Sequence, residues 1–357
     1  MIKSITFENF KALREANLPL GRFTLIVGPN GSGKSTAVQA ITVARFPSNT
    51  NYWNVVSAQL KESKSATASV KIEWAVDYRS LSKHRHKNSR VVAPAPSEAT
   101  VTVTSRWSRQ GNVMSQDELT PDKTLDVNTF TDLRTALESF KVFAFDADAI
   151  AKPVRMRPGI ELGAAGENLA GVLENLRDAE PEHFETLNSD LKRWLPEFDR
   201  ILFQTPSEGT KAFLLRTSVG GHQIEARDLS HGTLFALAFL TLTYLPTPPL
   251  IACFEEPDRG IHPRLLREIR DAMYRLAYPE DYGDKRKPIQ VIATTHSPYM
   301  LDLYRDYPEE VVLAQKTHAG VSFERLSDKP NFHEILKGAP LGEVWYSGVL
   351  GGVPLAP

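Results

Sequence analysis

The sequence predicts an α/β fold with a mixed central sheet, and three observations carry that prediction. Phe23-Thr24-Leu25-Ile26-Val27 is a compact apolar run of the kind buried on both faces of a sheet, and it leads into a glycine-rich loop and then helical spacing. A second α/β pattern runs over residues 228–301, with apolar strands at 250–254 and 288–293. Between these halves, residues 70–76 and 100–104 alternate with period two, as antiparallel strands with one wet face do.

Taken in order, residues 1–46 form the N-terminal part of the core. Ile5 and Phe7 alternate with polar neighbours in a first strand, the run from Phe23 makes a buried strand, and helical spacing holds from Lys34 to Ala44. Residues 47–140 read as an inserted antiparallel β-rich lobe. Residues 141–227 read as a mainly helical subdomain, with helices at 168–176 and 184–195, breaks at Pro196 and Pro206, and a strand at 212–217. Residues 228–357 complete the core. No repeats, heptads or low-complexity tracts interrupt this order.

Composition narrows the function classes. A chain of 357 residues buries a substantial core without staples, and its one cysteine, Cys253, forms no internal disulfide, which excludes a disulfide-built secreted fold. Lys and Arg number 42 against 43 Asp and Glu, so contact with nucleic acid or membrane has to come from a local patch. The first residues lack the apolar core of a signal peptide, and the longest apolar run, residues 234–245, is too short to span a bilayer. The expectation is a soluble, reduced, cytoplasmic protein with no membrane partner.

Gly28-Pro29-Asn30-Gly31-Ser32-Gly33-Lys34-Ser35 fits G-x-x-x-x-G-K-[ST] at every required position, between a predicted strand and a predicted helix. Glycines let successive N–H groups turn inward around phosphate oxygens, and the helix start adds its positive dipole end. This makes Asn30, Gly31, Ser32, Gly33, Lys34, Ser35 and Thr36 the candidate nucleotide-binding residues. Lys34 is placed to reach the β- and γ-phosphates, and the Ser35 hydroxyl to ligate Mg²⁺.

Three further motifs follow. Leu229-Ser230-His231-Gly232-Thr233 opens a helix, residues 250–254 run into Glu255-Glu256-Pro257, and Ile292-Ala293-Thr294-Thr295 runs into His296-Ser297-Pro298. No N-K-x-D element of guanine specificity occurs. With these motifs the chain resembles the ATP-binding-cassette type of P-loop ATPase found in structural-maintenance (SMC), RecF-like and OLD-like proteins. The opening Ile5-Thr6-Phe7-Glu8-Asn9-Phe10-Lys11-Ala12 resembles that group's N-terminal segment. Ser230-His231-Gly232 resembles its signature loop, Glu255-Glu256-Pro257 its Walker B strand, Ile261-His262-Pro263 the turn after it, and Thr295-His296-Ser297-Pro298 its switch histidine. Residues 341–348 resemble stand-alone OLD-like members, and with roughly sixty residues after His296 the expectation is a member without a Toprim nuclease domain.

The resemblance implies an ATPase using ATP and Mg²⁺. Glu256 would be the general base that activates water, Glu255 would hold the Mg²⁺ shell, and His296 would bond the γ-phosphate. The family more often carries Asp where Glu255 stands. Ser230, with Gly232, would face the ATP of a second subunit in an ATP-driven homodimer, or Ser230 is a plain helix N-cap. What the resemblance further implies is a DNA-linked role, such as phage defence, with a separate nuclease or other effector in trans. The alternative is an ATP-gated scaffold with little or no turnover, and a transporter ATPase stands third.

Lesser candidates remain. Lys11 contacts phosphate or faces solvent. The basic run 83–87 with Arg90 touches nucleic-acid phosphates or is only solvated. His84 and His86 could ligate a metal, and Asp146 and Asp148 have the D-x-D spacing of a metal-dependent nuclease without the rest of such a site. Cys253 reads as a small core residue.

Overall fold

The computed structural model describes residues 1–45, 52–57, 60, 65–77, 98–110, 113–121, 127–317, 320–330, 332 and 339–351. The basic run 83–87, Arg90, and the histidines His84 and His86 lie outside the described residues. The chain divides into two compact units, Met1–Phe140 with Tyr304–Pro357, and Lys141–Leu303.

In the first unit, β1 (Ile2–Phe10) and β2 (Leu13–Pro19) form a hairpin. Asn9 and Lys11 take left-handed φ of 54° and 51° to make the tight reversal. Strand β1 buries Ile2, Ile5, Phe7 and Phe10, and β3 (Phe23–Val27) is buried at every position, Thr24 included, as a strand covered on both faces is. Helix α1 (Lys34–Arg45) buries Ala37, Val38, Ala40, Ile41 and Ala44, a single stripe at helical spacing. Strands β4 (Ser65–Asp77), β5 (Glu98–Gln110) and β6 (Val113–Pro121) then extend the hairpin into a five-stranded antiparallel sheet in the order β2-β1-β4-β5-β6. Trp107 of β5 is wholly buried against Phe10, and Ser105 Oγ donates to Ala44 O at the end of α1. Helix α2 (Val127–Glu138) closes this part of the chain.

The second unit contains a parallel set, β7 (Lys141–Phe143), β12 (Ile251–Glu255) and β13 (Gln290–Thr295), with β12 in the middle. Between them in sequence come α3 (Ala147–Ala151), β8 (Val154–Arg155), α4 (Leu169–Ala179) and α5 (Pro181–Trp194). An antiparallel group follows, β9 (Phe198–Gln204), β10 (Thr210–Thr217) and β11 (Gln223–Glu225). Helix α6 (His231–Leu242) is buried on all sides from Thr233 to Leu242, and its Phe239 packs on Phe145 and on Phe254 of β12. Helix α7 (Leu266–Ala277) precedes β13, and α8 (Pro298–Asp302) follows it.

The chain returns to the first unit with β14 (Val311–Thr317), β15 (Gly320–Arg325) and the short α9 (Leu341–Tyr346). Strand β14 pairs parallel with β3 and antiparallel with β15, so the sheet is mixed, as the sequence leads one to expect. No helix among the described residues is long and apolar enough to cross a membrane.

Candidate functional site

In the first unit, the loop from Gly28 to Gly33 joins the C-terminal end of β3 to the start of α1. Its shape depends on two different properties of glycine. A Cβ at Gly28 would meet the backbone oxygen of Ala314 at 2.5 Å and Ser32 Oγ at 2.6 Å, so only the missing side chain lets the strands close. Gly33 has φ +91°, and a Cβ there would also stand 3.0 Å from Val321 Cγ1.

Lys34 is 6% exposed, and its ammonium donates to Gly28 O at 2.6 Å and Pro29 O at 3.0 Å. A buried charge needs such partners, and these carbonyls hold the amine over the loop. The Ser32 hydroxyl is buried, and no hydrogen-bond partner meets it among the described residues. Asn30, Gly31 and Ser35 are exposed and Thr36 is half-buried. An orphan hydroxyl, a caged ammonium and a glycine-formed cradle at a helix N-terminus together fit an anionic polyphosphate. The exposed Ser35 hydroxyl is a hard oxygen donor, which suits Mg²⁺. Lys11 donates to Gln39 Oε1 of α1 at 2.9 Å.

In the second unit, β12 and β13 end side by side, with Glu255 opposite Thr294. Glu256, the next residue, takes a left-handed φ of 48°, which costs a non-glycine residue about 1–2 kcal/mol. Its N–H donates to Thr294 O at 3.0 Å, and its Oε1 lies 2.9 Å from His296 Nδ1. The structure thus brings Glu256 and His296 together. Glu255 is half-buried at the strand end, an oxygen ligand of the type Mg²⁺ takes. Cys253 is fully buried in β12, and burial pushes its thiol well above the ordinary range.

Ser230 is the N-cap of α6. Its Oγ accepts from Thr233 N–H at 3.1 Å and pairs with Thr233 Oγ1 at 2.8 Å, while the residue itself stays exposed. A Cβ at Gly232 would come within 3.1 Å of Gly260 O, so the signature-like glycine admits the turn that follows Glu256. Asp146 is likewise a helix cap, accepting from Ala149 N–H at 2.8 Å, and Asp148 is exposed beside it. No cluster of three or more His, Cys, Asp or Glu side chains suited to a metal occurs among the described residues.

Asp258 escaped the sequence reading. It accepts from Thr295 Oγ1 at 2.8 Å, and burial raises its carboxyl above the ordinary range while that hydrogen bond pulls it down. The available signal was a third carboxylate two positions after Glu256; its pairing with Thr295 had none. A cavity of about 630 Å³ also opens at the start of α6, lined by Lys152, Ala212, Phe213, Arg227 and His231 among others.

Residues 23–302, well over half of the chain, match the family model described as "AAA domain, putative AbiEii toxin, Type IV TA system". A 41-residue stretch is 51% identical to the OLD nuclease of Thermus scotoductus, covering 12% of this chain and 8% of the nuclease. Among solved structures, the SMC head domain of Thermotoga maritima is similar at a TM-score of 0.46 and 17% identity, covering 91% of this chain and 98% of that one.

Proposed function

The chain belongs to the AAA domain family, and from that premise we propose that it binds ATP with Mg²⁺ and hydrolyses it as a dimerising switch. The observation that carries the reading is the loop of the first unit, where the Ser32 hydroxyl is orphaned and the Lys34 ammonium is caged at the start of α1. Residues Asn30 to Thr36 would wrap the phosphates, with Lys34 drawing charge from the β- and γ-oxygens. Ser35 and Glu255 would hold Mg²⁺, which supplies charge neutralisation on the phosphates when bound.

Glu256 would take a proton from the attacking water, and His296 would contact the γ-phosphate. Their mutual hydrogen bond supports a shared role, since it gives the carboxylate a fixed direction. Ser230 and Gly232 would contribute to the ATP of a second copy. The process served would be DNA-linked, such as phage defence, with a nuclease or other effector in trans, and its setting would be cytoplasmic. The short match to an OLD nuclease supports that direction and covers a small part of that protein.

Steady phosphate release tests the reading. Glu256→Gln should lower the rate roughly 10²–10⁴-fold while leaving ATP binding intact. An unchanged rate in that variant would remove Glu256 from the chemistry. The same Glu256–His296 bond also favours a second reading, because a carboxylate engaged by histidine is a poor base until it is released. On that reading the chain is an ATP-gated scaffold for an effector, with ATP binding but near-zero turnover in the wild type.

A further inference from the structure

The ladder between β12 and β13 ends at Glu255 and Thr294, yet Glu256 and His296 meet beyond it. Each residue sits on a turn leaving a different strand, so their contact depends on whatever ties those turns together. Glu256 N–H ties the turns by donating to Thr294 O at 3.0 Å and Thr294 Oγ1 at 3.3 Å. A further tie is made between side chains: Thr295 Oγ1 donates to Asp258 Oδ1 at 2.8 Å and accepts from Ser297 N–H at 2.9 Å.

A threonine hydroxyl has one proton, and with Ser297 N–H acting as a donor that proton is committed to Asp258. The bond is therefore directional, and it is also sheltered: Thr295 is 0% exposed. It brackets His296 on the β13 side through Thr295 and Ser297. On the β12 side it anchors Asp258 two residues past the strained Glu256, where Arg259 N–H returns to Glu256 O at 2.9 Å. A left-handed glutamate persists only where its surroundings over-determine it, and this bridge supplies part of that constraint.

We propose that Asp258 and Thr295 are positioning residues that hold His296 against Glu256, and that Asp258 serves as a hydrogen-bond acceptor rather than as a charge. The bridge touches neither reacting group directly. Its effect passes through the two turns, so an isosteric loss at Thr295 should loosen the histidine without unfolding the strand. The consequence for turnover rests on the reading given under Proposed function. The consequence for His296 does not.

The test reads the imidazole ¹⁵N resonances of His296 in the full-length protein, with Glu256→Ala giving the position of an unbonded ring. Thr295→Val and Asp258→Ala should both move the resonances toward that position. Thr295→Ser and Asp258→Asn, which keep donor and acceptor, should stay at the wild-type position. Thermal midpoints accompany each variant, and cutting the bond from both sides guards against one variant failing to fold. In parallel, Thr295→Val should lower kcat about 10- to 100-fold with KM within about twofold, as small misplacements do, and Thr295→Ser should recover most of it.

Unmoved resonances in Thr295→Val and Asp258→Ala would overturn the proposal whatever the rates. Asp258→Asn shifting as far as Asp258→Ala would overturn the acceptor assignment in favour of charge. Shifted resonances in a protein that releases no phosphate would uphold the positioning role and refute hydrolysis instead.

Discussion

Lys34 carries a full charge that is almost out of water, and the two carbonyls it bonds belong to the loop it is proposed to serve. A phosphate arriving there would replace neutral acceptors with charged ones, and charge-assisted bonds of this kind contribute about 1.5–3 kcal/mol. Lys34→Ala should therefore weaken ATP roughly 10- to 100-fold, read by titration with a fluorescent ATP analogue. Affinity within about twofold of wild type would mean that the loop does not bind through its lysine. The lysine, its glycines and Ser35 were legible in the sequence, because backbone approach to phosphate restricts residue type at fixed spacing. The left-handed φ of Glu256 and the Asp258–Thr295 bridge were not. Both arise where two strands distant in sequence end side by side, and nothing local to Glu255-Glu256-Pro257-Asp258 encodes which threonine will face it.

At the level of elements, the hairpin strand β1 is joined to β4 by more than its ladder. Glu8 of β1 accepts from Ser69 Oγ and from the Lys71 ammonium, and these bonds, the lysine's first, hold its carboxyl below the usual range. A depressed folded pKa means stability that is present above the unfolded value and is lost as pH falls through the folded one. Glu8→Gln should thus lower the thermal midpoint at neutral pH, and the gap from wild type should close on acidification below the ordinary glutamate range. Because both side chains are partly exposed, the effect is small, and a gap that is constant with pH would assign it to packing instead. On α6, Ser230→Ala should cost about 1 kcal/mol through the lost Thr233 N–H cap, measured by denaturant unfolding, while Ser230→Asp keeps the cap. The elements β3, β12, β13 and α6 were readable as apolar runs of the right length. Strand β7, three residues long, and β8, two residues long, carry too little periodicity to register, and they lie in a stretch that reads as mainly helical. That β4 would pair with β1 is a long-range choice, made by the match of Ile5 and Phe7 to Ile72 and Val70, not by any local signal.

For the molecule as a whole, the proposed switch requires two copies to meet when ATP is bound, and the net charge of −1 places little self-repulsion in the way. The variant to use is Glu256→Gln, since slowing hydrolysis preserves the ATP-bound state long enough to weigh it. Its solution mass by light scattering should double on adding Mg-ATP and remain monomeric without nucleotide. Ser230→Arg in the same background should abolish the doubling, because a long cation at the cap would block the place where the partner's phosphates are proposed to sit. Ser230→Asp sharpens the test: it keeps α6 capped but sets a negative charge toward those phosphates, so loss of the doubling in a stably folded Ser230→Asp protein separates the trans role from the cap. A mass already that of a dimer or larger without ATP would favour the scaffold reading. A protein that binds ATP and stays monomeric would refute the trans role of Ser230 and leave its hydroxyl as the cap of α6 alone.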